Sequence, residues 1–224
     1  KYTTHWGLFM LIFLYKMFFY ETFISMRQPL TIVLFFILMQ FIEEKKALKY
    51  YLLLILFVLP FHNGAFLLLL VYLISFFNIT KMRLIILNCI FVPLLIIPEL
   101  GIDPMGPLSS FLDFISDPGI RKKAISYISN EQGLSIFHTI EYLLIMGLII
   151  ANYEKLILSN SHAKFIIKLF LILLPIMTLF RSSLFFRREL DYFIPTYAFI
   201  IGYLCDLYRK KRWIFIGATV VVCF

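Results

Sequence analysis

The stretch Pro29-Leu-Thr-Ile-Val-Leu-Phe-Phe-Ile-Leu-Met-Gln-Phe-Ile42 is apolar at nearly every position and carries no charge. It lacks the apolar–polar alternation of a barrel strand, so it predicts a helix. Similar stretches recur along the chain, in which 62% of the 224 residues are hydrophobic and 15% are charged. This composition is too apolar for a soluble domain. Because backbone groups in lipid must be hydrogen-bonded internally, we expect an all-α fold, a polytopic transmembrane helical bundle.

The apolar stretches predict eight complete spans and part of a ninth, within a single integral membrane domain over residues 1–224. Their expected ranges are 6–20, 29–42, 48–59, 65–77, 84–97, 138–151, 165–180, 192–207 and the short run 213–224. The chain does not begin with Met, and its last run is too short to cross a bilayer, so we expect a protein truncated at both ends.

Basic residues in the short loops predict the orientation. The loops with the most lysines and arginines alternate along the chain, so they share one side, which should be cytoplasmic. Their cations are Lys45, Lys46, Lys49, Lys81, Arg83, Lys155, Lys164, Arg209, Lys210, Lys211 and Arg212. The polar segment 99–137 then forms an extracytoplasmic loop with short surface helices. The net charge of +8 reflects this orientation and contact with anionic headgroups, and it does not indicate nucleic acid.

Arg27 lies on the opposite, non-cytoplasmic side, just before Pro29. Proline is favoured in the first turn of a helix, so Arg27 should stand at a helix start. A fixed cation beside the positive end of a helix is unfavourable unless an anion binds both. A phosphate or pyrophosphate would supply negative charge to both Arg27 and the helix end. The alternative is an interfacial arginine that reaches lipid headgroups or pairs with Glu21.

A second group of arginines, Arg181, Arg187 and Arg188, occupies a turn between two predicted spans on that same side. The guanidinium group presents a rigid fork of donors that suits phosphate oxygens and keeps its charge at any physiological pH. The alternative is an ion-paired hairpin in which Glu189 and Asp191 neutralise two of the arginines.

Histidine supplies the candidate for proton transfer. His62 lies in the break Pro60-Phe-His-Asn-Gly64, again on the non-cytoplasmic side, and histidine exchanges a proton near neutral pH. The alternative is a turn histidine bonded to a local carbonyl. His138 is a weaker candidate, and Glu141, one turn further, is either part of the site or a buried structural acid. The sequence has no metal-ligand cluster, glycine-rich phosphate loop or nucleophile elbow, so we expect no metal and no cofactor.

Three segments, Ser25-Met-Arg-Gln-Pro-Leu-Thr-Ile-Val-Leu34, Phe41-Ile-Glu-Glu-Lys-Lys46 and Leu59-Pro-Phe-His-Asn-Gly-Ala65, resemble the EpsG family of bacterial polysaccharide proteins. The likeness covers residues 20–75 and continues more loosely through 187–192. The family is related in role to Wzy-type O-antigen and capsule polymerases. The resemblance implies a metal-independent membrane glycosyltransferase on the periplasmic side of the bacterial inner membrane. It would polymerise undecaprenyl-pyrophosphate-linked oligosaccharide repeat units in O-antigen, capsule or exopolysaccharide synthesis.

The resemblance also implies roles for the candidate residues. Arg27 and the group Arg181, Arg187 and Arg188 would bind the pyrophosphate, Arg27 and His62 would be catalytic, and Tyr192, His138 and Glu141 would support them. The expected partners are the lipid-linked oligosaccharide, membrane lipids, and chain-length regulator and flippase proteins.

Two other functions compete with the polymerase. One is a flippase or transporter of lipid-linked oligosaccharide, in which the arginines line a translocation path. The other is a non-catalytic membrane component of an export complex. A transporter should carry polar residues through the middle of several spans, whereas these spans are largely apolar with their charges at the rims.

Overall fold

A computed structural model of the chain describes residues 5–13, 27–60, 65, 67–94, 122, 136–179, 190–208, 213 and 217. Within these residues, all regular secondary structure is helical. The helices, in chain order, are α1 (Trp6–Phe13), α2 (Arg27–Glu43), α3 (Ala47–Leu53), α4 (Leu68–Val71), α5 (Lys81–Leu94), α6 (Ile136–Ser159), α7 (Ala163–Leu171), α8 (Leu173–Leu179) and α9 (Pro195–Leu207). The prediction of an all-α fold is confirmed for this part of the chain.

Helix length separates α6 from the other described helices. Over Thr139–Ser159, α6 is long and apolar enough to cross a membrane. The helices Gln28–Glu43 and Ala47–Val58 are apolar but shorter than the roughly 20 residues that a span requires. The number of spans therefore stays a prediction.

Prolines and a threonine cap explain several helix boundaries that differ from the predicted spans. The span expected at 165–180 is broken at Ile172, because Pro175 has no N–H for the carbonyl three to four residues earlier and its ring crowds that turn. Pro195 occupies the first turn of α9, which begins there and not at 192. α5 begins three residues early, since Thr80 Oγ1 accepts a hydrogen bond from the Arg83 N–H at 3.3 Å.

Two of the predicted spans contain helical turns of unusual width. α3 continues as a π-helix over Leu54–Val58, in which the Leu59 N–H donates to the Leu54 carbonyl at 3.0 Å. α4 continues as a 3₁₀-helix over Tyr72–Phe76. The segments 48–59 and 65–77 are apolar at nearly every position, which predicts burial. Such a pattern does not distinguish a π-helix or a 3₁₀-helix from an α-helix.

The helices run back and forth between two ends of the bundle. At the Lys164 end, which is named for a lysine in the first turn of α7, His162 Nδ1 lies 2.7 Å from Glu43 Oε1 and His5 Nε2 lies 2.7 Å from Asp206 Oδ1. α2, α6 and α9 end there. At the opposite end, the Gln28 end, α2, α6 and α9 begin. The described basic turns therefore lie together, as the alternation of spans predicts.

The core is centred on α9, whose residues from Pro195 to Cys205 are all buried. α9 packs against α1, α6 and α7. Aromatic rings join these helices: Tyr142 stacks on Phe170 with ring centres 5.1 Å apart, and Phe170 meets the edge of Tyr197 at 4.8 Å. Such ring pairs add about 0.5–1.5 kcal/mol beyond burial, so they fix how α6, α7 and α9 face each other.

The α2–α3 turn places a lysine in a backbone conformation that favours glycine. Lys45 has a φ of 56°, and the only other non-helical residues of the turn are Glu44 and Lys46. The Lys46 N–H donates to the Phe41 carbonyl at 2.8 Å and the Lys45 N–H donates to the Ile42 carbonyl at 3.1 Å. These two bonds define a Schellman motif, whose left-handed position is usually glycine. A lysine in this left-handed position is less stable than a glycine would be.

We expect Tyr50→Phe to destabilise the protein. The buried Tyr50 hydroxyl donates to the Leu68 carbonyl at 2.6 Å and so ties α3 to α4. Loss of this hydrogen bond should cost about 1 kcal/mol and lower the melting temperature by about 2–4 °C in detergent. Tyr51→Phe is the matched control, since the neighbouring ring is less buried and packs through its face and edge. Equal melting temperatures for the two variants would contradict the assignment.

Candidate functional site

A partly buried hydrogen bond organises the Gln28 end. Gln28 is 2% exposed, and its Nε2 donates to Asp191 Oδ2 at 2.9 Å. Bonds to a charged acceptor are stronger than those between neutral groups. The bond fixes the first turn of α2, which begins at Arg27, against a residue three positions after Arg188. The start of α2 and the turn before α9, which are far apart in sequence, are thereby brought to one place.

Aromatic packing strengthens the same junction. Phe35, which is fully buried on α2, meets Tyr192 edge to face with ring centres 6.3 Å apart, and meets Phe193 at 6.0 Å. Tyr192 is itself fully buried. Its ring packs α2 against the turn before α9, and its supporting role in a site stays a prediction.

The first turns of α6 add buried polar groups at the Gln28 end. Glu141 is 7% exposed and lies close enough to the Tyr197 hydroxyl to act on it electrostatically. Both predicted roles of Glu141, part of the site or structural acid, are compatible with this buried position against α9, and both stay predictions. The buried Thr139 Oγ1 has no hydrogen-bond partner within the described part of the chain. His138 belongs to the first turn of α6.

Other predicted site residues lie outside the described residues. They are His62, Arg181, Arg187 and Arg188, together with most of the loop 99–137. The chain before the His62 break is described through Pro60. Since α3 runs antiparallel to α2 and packs along it, Leu59 and Pro60 approach the Gln28 end. The described residues hold no group of three His, Cys, Asp or Glu side chains that could bind a metal ion.

The sequence does not predict the Gln28–Asp191 bond. From the sequence, Gln28 stands out only as a member of the segment 25–34, and Asp191 only as a counter-charge for arginine. A signal was present, because a glutamine in the first turn of an apolar helix must find a hydrogen-bond partner if it is buried. The sequence gives no means of choosing that partner, which lies 163 residues away.

Comparison with known proteins identifies a family. Neither a curated protein nor a solved structure matches the chain significantly. The model of the EpsG family matches residues 1–224, which extends the resemblance from the segments around 20–75 and 187–192 to the whole chain. EpsG proteins are membrane proteins of polysaccharide biosynthesis that are similar to Wzy-type polysaccharide polymerases. With the match covering its full length, the chain belongs to the EpsG family.

Proposed function

We propose that this protein is a membrane glycosyltransferase that polymerises undecaprenyl-pyrophosphate-linked oligosaccharide repeat units for an O-antigen, capsule or exopolysaccharide. The Gln28–Asp191 hydrogen bond is the observation that carries the proposal. Gln28 is next to Arg27, and Asp191 is three residues after Arg188, so the bond supports a short distance between these arginines. Together, Arg27, Arg181, Arg187 and Arg188 would form one anion site. The family membership supports a role in polysaccharide synthesis.

The leaving group defines what the site must do. When the growing glycan leaves its carrier, the bond between the anomeric carbon and a pyrophosphate oxygen breaks, and negative charge develops on that oxygen. Cations and helix N–H groups that are already in place stabilise such charge most effectively. Arg27 stands in the first turn of α2, where the positive end of the helix dipole favours an anion. The arginines of the 181–188 turn would bind the remaining phosphate oxygens in pairs of hydrogen bonds.

The acceptor side of the reaction needs a base. A sugar hydroxyl of the incoming lipid-linked unit forms the new bond to the anomeric carbon and loses its proton. His62 accepts this proton in our proposal. The approach of Leu59 and Pro60 to the Gln28 end supports placing His62 near the arginines. No metal and no nucleotide sugar takes part in the proposed step.

The proposed setting is a polytopic bundle in the bacterial inner membrane with the Gln28 end in the periplasm. The lysines at the other end support this orientation, because basic loops are retained in the cytoplasm. Lys45 and Lys164 lie together there, at the turns that follow α2 and α6. The loop 99–137 would then cover the glycan on the periplasmic side.

The first test is substitution of the proposed pyrophosphate ligands. We expect Arg27→Ala or Arg188→Ala to reduce chain extension by at least about a hundredfold, since each removes a charge-assisted contact to the leaving group. Single repeat units should still reach the cell surface. The polymer is measured by gel electrophoresis of the extracted glycan. Arg83→Ala is the matched control, an arginine in the first turn of α5 at the Lys164 end.

The outcomes separate the competing functions. Loss of surface-exposed single units in Arg27→Ala and Arg188→Ala would indicate a flippase or transporter. Long polymer in both variants would indicate a non-catalytic membrane component. Either result rejects the polymerase.

Substitution of the proposed base should separate binding from turnover. We expect His62→Ala to lose at least about a hundredfold in polymerisation rate while the lipid-linked donor still binds, because proton transfer typically contributes 10²–10⁴-fold. The rate and the bound donor are measured with purified protein. His5→Ala is the control, a histidine at the Lys164 end. An unchanged rate in His62→Ala removes this residue from the mechanism.

The Gln28–Asp191 hydrogen bond itself can be tested as a positioning contact. We expect Gln28→Ala and Asp191→Ala each to reduce chain extension, and the double variant to be no worse than either single one, because both remove one contact. Asp191→Asn should recover much of the activity, since its amide oxygen still accepts from Gln28. Asp206→Asn at the other end is the control. Additive losses would show that the two residues act separately.

A further inference from the structure

A cavity of about 140 Å³ opens at the Lys164 end, on the opposite side of the bundle from the proposed active site. Its polar lining consists of Glu43, Lys45, Ser75, Ser161, Lys164 and Lys168. One buried water needs only about 10–15 Å³ of such space. The cavity therefore has room for a polyatomic ion.

The charge of the lining is predominantly positive. Lys45 and Lys164 are close enough to the Lys168 ammonium to repel it. Glu43 is the one carboxylate in the described lining, and its Oε1 lies 2.7 Å from His162 Nδ1. Three ammonium groups gathered around one carboxylate repel each other in the absence of an anion.

The backbone keeps one of these lysines in place at a cost. Lys45 occupies the left-handed position of the α2–α3 turn, where glycine would be without strain. Its side chain lines the cavity. A strained residue that contributes a charge to a cavity is typical of a binding site.

A buried hydroxyl completes the lining. Ser75 is 8% exposed, and its Oγ has no hydrogen-bond partner within the described part of the chain. Next to it, Lys168 Nζ donates to the Ile74 carbonyl at 3.3 Å, so the α7 lysine is held beside the end of the 3₁₀-helix Tyr72–Phe76. Most buried polar atoms in proteins have a hydrogen-bond partner, so we expect one for the Ser75 hydroxyl. A ligand oxygen in the cavity would provide it.

We propose that this cavity binds a phosphate group. A phosphate brings the negative charge that offsets Lys45, Lys164 and Lys168, and its several oxygens accept hydrogen bonds from ammonium groups and from the Ser75 hydroxyl together. The phosphate comes either from an anionic lipid headgroup or from a free phosphorylated molecule, and both present the same chemistry. The site is independent of the proposed polymerase reaction.

The test is a calorimetric titration of the full chain, purified in a neutral detergent. Two probes are used, inorganic phosphate and short-chain phosphatidylglycerol, with the matching diacylglycerol as the control that lacks phosphate. We expect saturable binding of at least one phosphate probe and none of the diacylglycerol. Binding of inorganic phosphate identifies a site for free phosphate, whereas binding of the phospholipid alone identifies a headgroup site.

Four variants assign the binding to the cavity. Lys164→Gln should weaken it by about tenfold, which corresponds to about 1.4 kcal/mol. Ser75→Ala should weaken it by about threefold to fivefold through loss of one hydrogen bond. Lys45→Gly should weaken it while raising the melting temperature, because the strain of the turn is removed. Lys49→Gln, an exposed lysine outside the cavity, should change it by less than about twofold.

Two results would overturn the proposal. One is the absence of saturable binding for both phosphate probes. The other is an equal effect of Lys164→Gln and Lys49→Gln, which would indicate a general attraction of anions to a basic surface. Lys45→Gly relieves strain at an exposed turn and Ser75→Ala removes a single oxygen, so both variants keep the test decisive if Lys164→Gln fails to fold.

Discussion

A polar side chain buried in an apolar bundle must find a partner, and this constraint determines how the chain closes. Gln28 satisfies it with Asp191, which lies 163 residues away. The bond holds the beginning of α2 to the turn before α9, and the rings of Phe35 and Tyr192 pack beside it. Among the described helices, α9 is the most buried. A segment that packs against α9 is therefore positioned by the core. The junction thus ties the first turn of α2 and the turn before α9 to the core.

The two proposed sites differ in the chemistry of their cations. The proposed polymerase site would use arginines, whereas lysines line the cavity at the Lys164 end. Guanidinium groups bind phosphate oxygens through fixed paired geometry, which suits a leaving group that must be oriented. Lysine ammonium groups are compact and adaptable, which suits binding without orientation. A phosphate at each end would thus have a different purpose, reaction at one and anchoring or regulation at the other.

Sequence patterns predicted the features that depend on composition and local structure. The apolar stretch 29–42 lies within α2, and the basic turns near Lys45 and Lys164 lie together. The break at Ile172 could have been predicted from Pro175, since its effect is local. The π-helix after α3, the Gln28–Asp191 bond and the cavity could not, because each depends on which helices pack together. The positions of His62 and of the arginines in the 181–188 turn rest on topology and stay predictions.

The short helical run from Ala47 to Val58 has a consequence for the surrounding bilayer. Twelve residues rise by no more than about 18 Å, while a hydrocarbon layer is about 30 Å thick. Its side chains Leu52, Ile55 and Phe57 are exposed, as expected where acyl chains cover a protein. If this run spans the membrane as predicted, its length would produce hydrophobic mismatch, and the lipid beside it would become thinner or the hairpin would sit below one surface. Headgroups would then descend further along this side of the protein than along α6, and the proposed lipid-linked substrate would meet a depression in the membrane there.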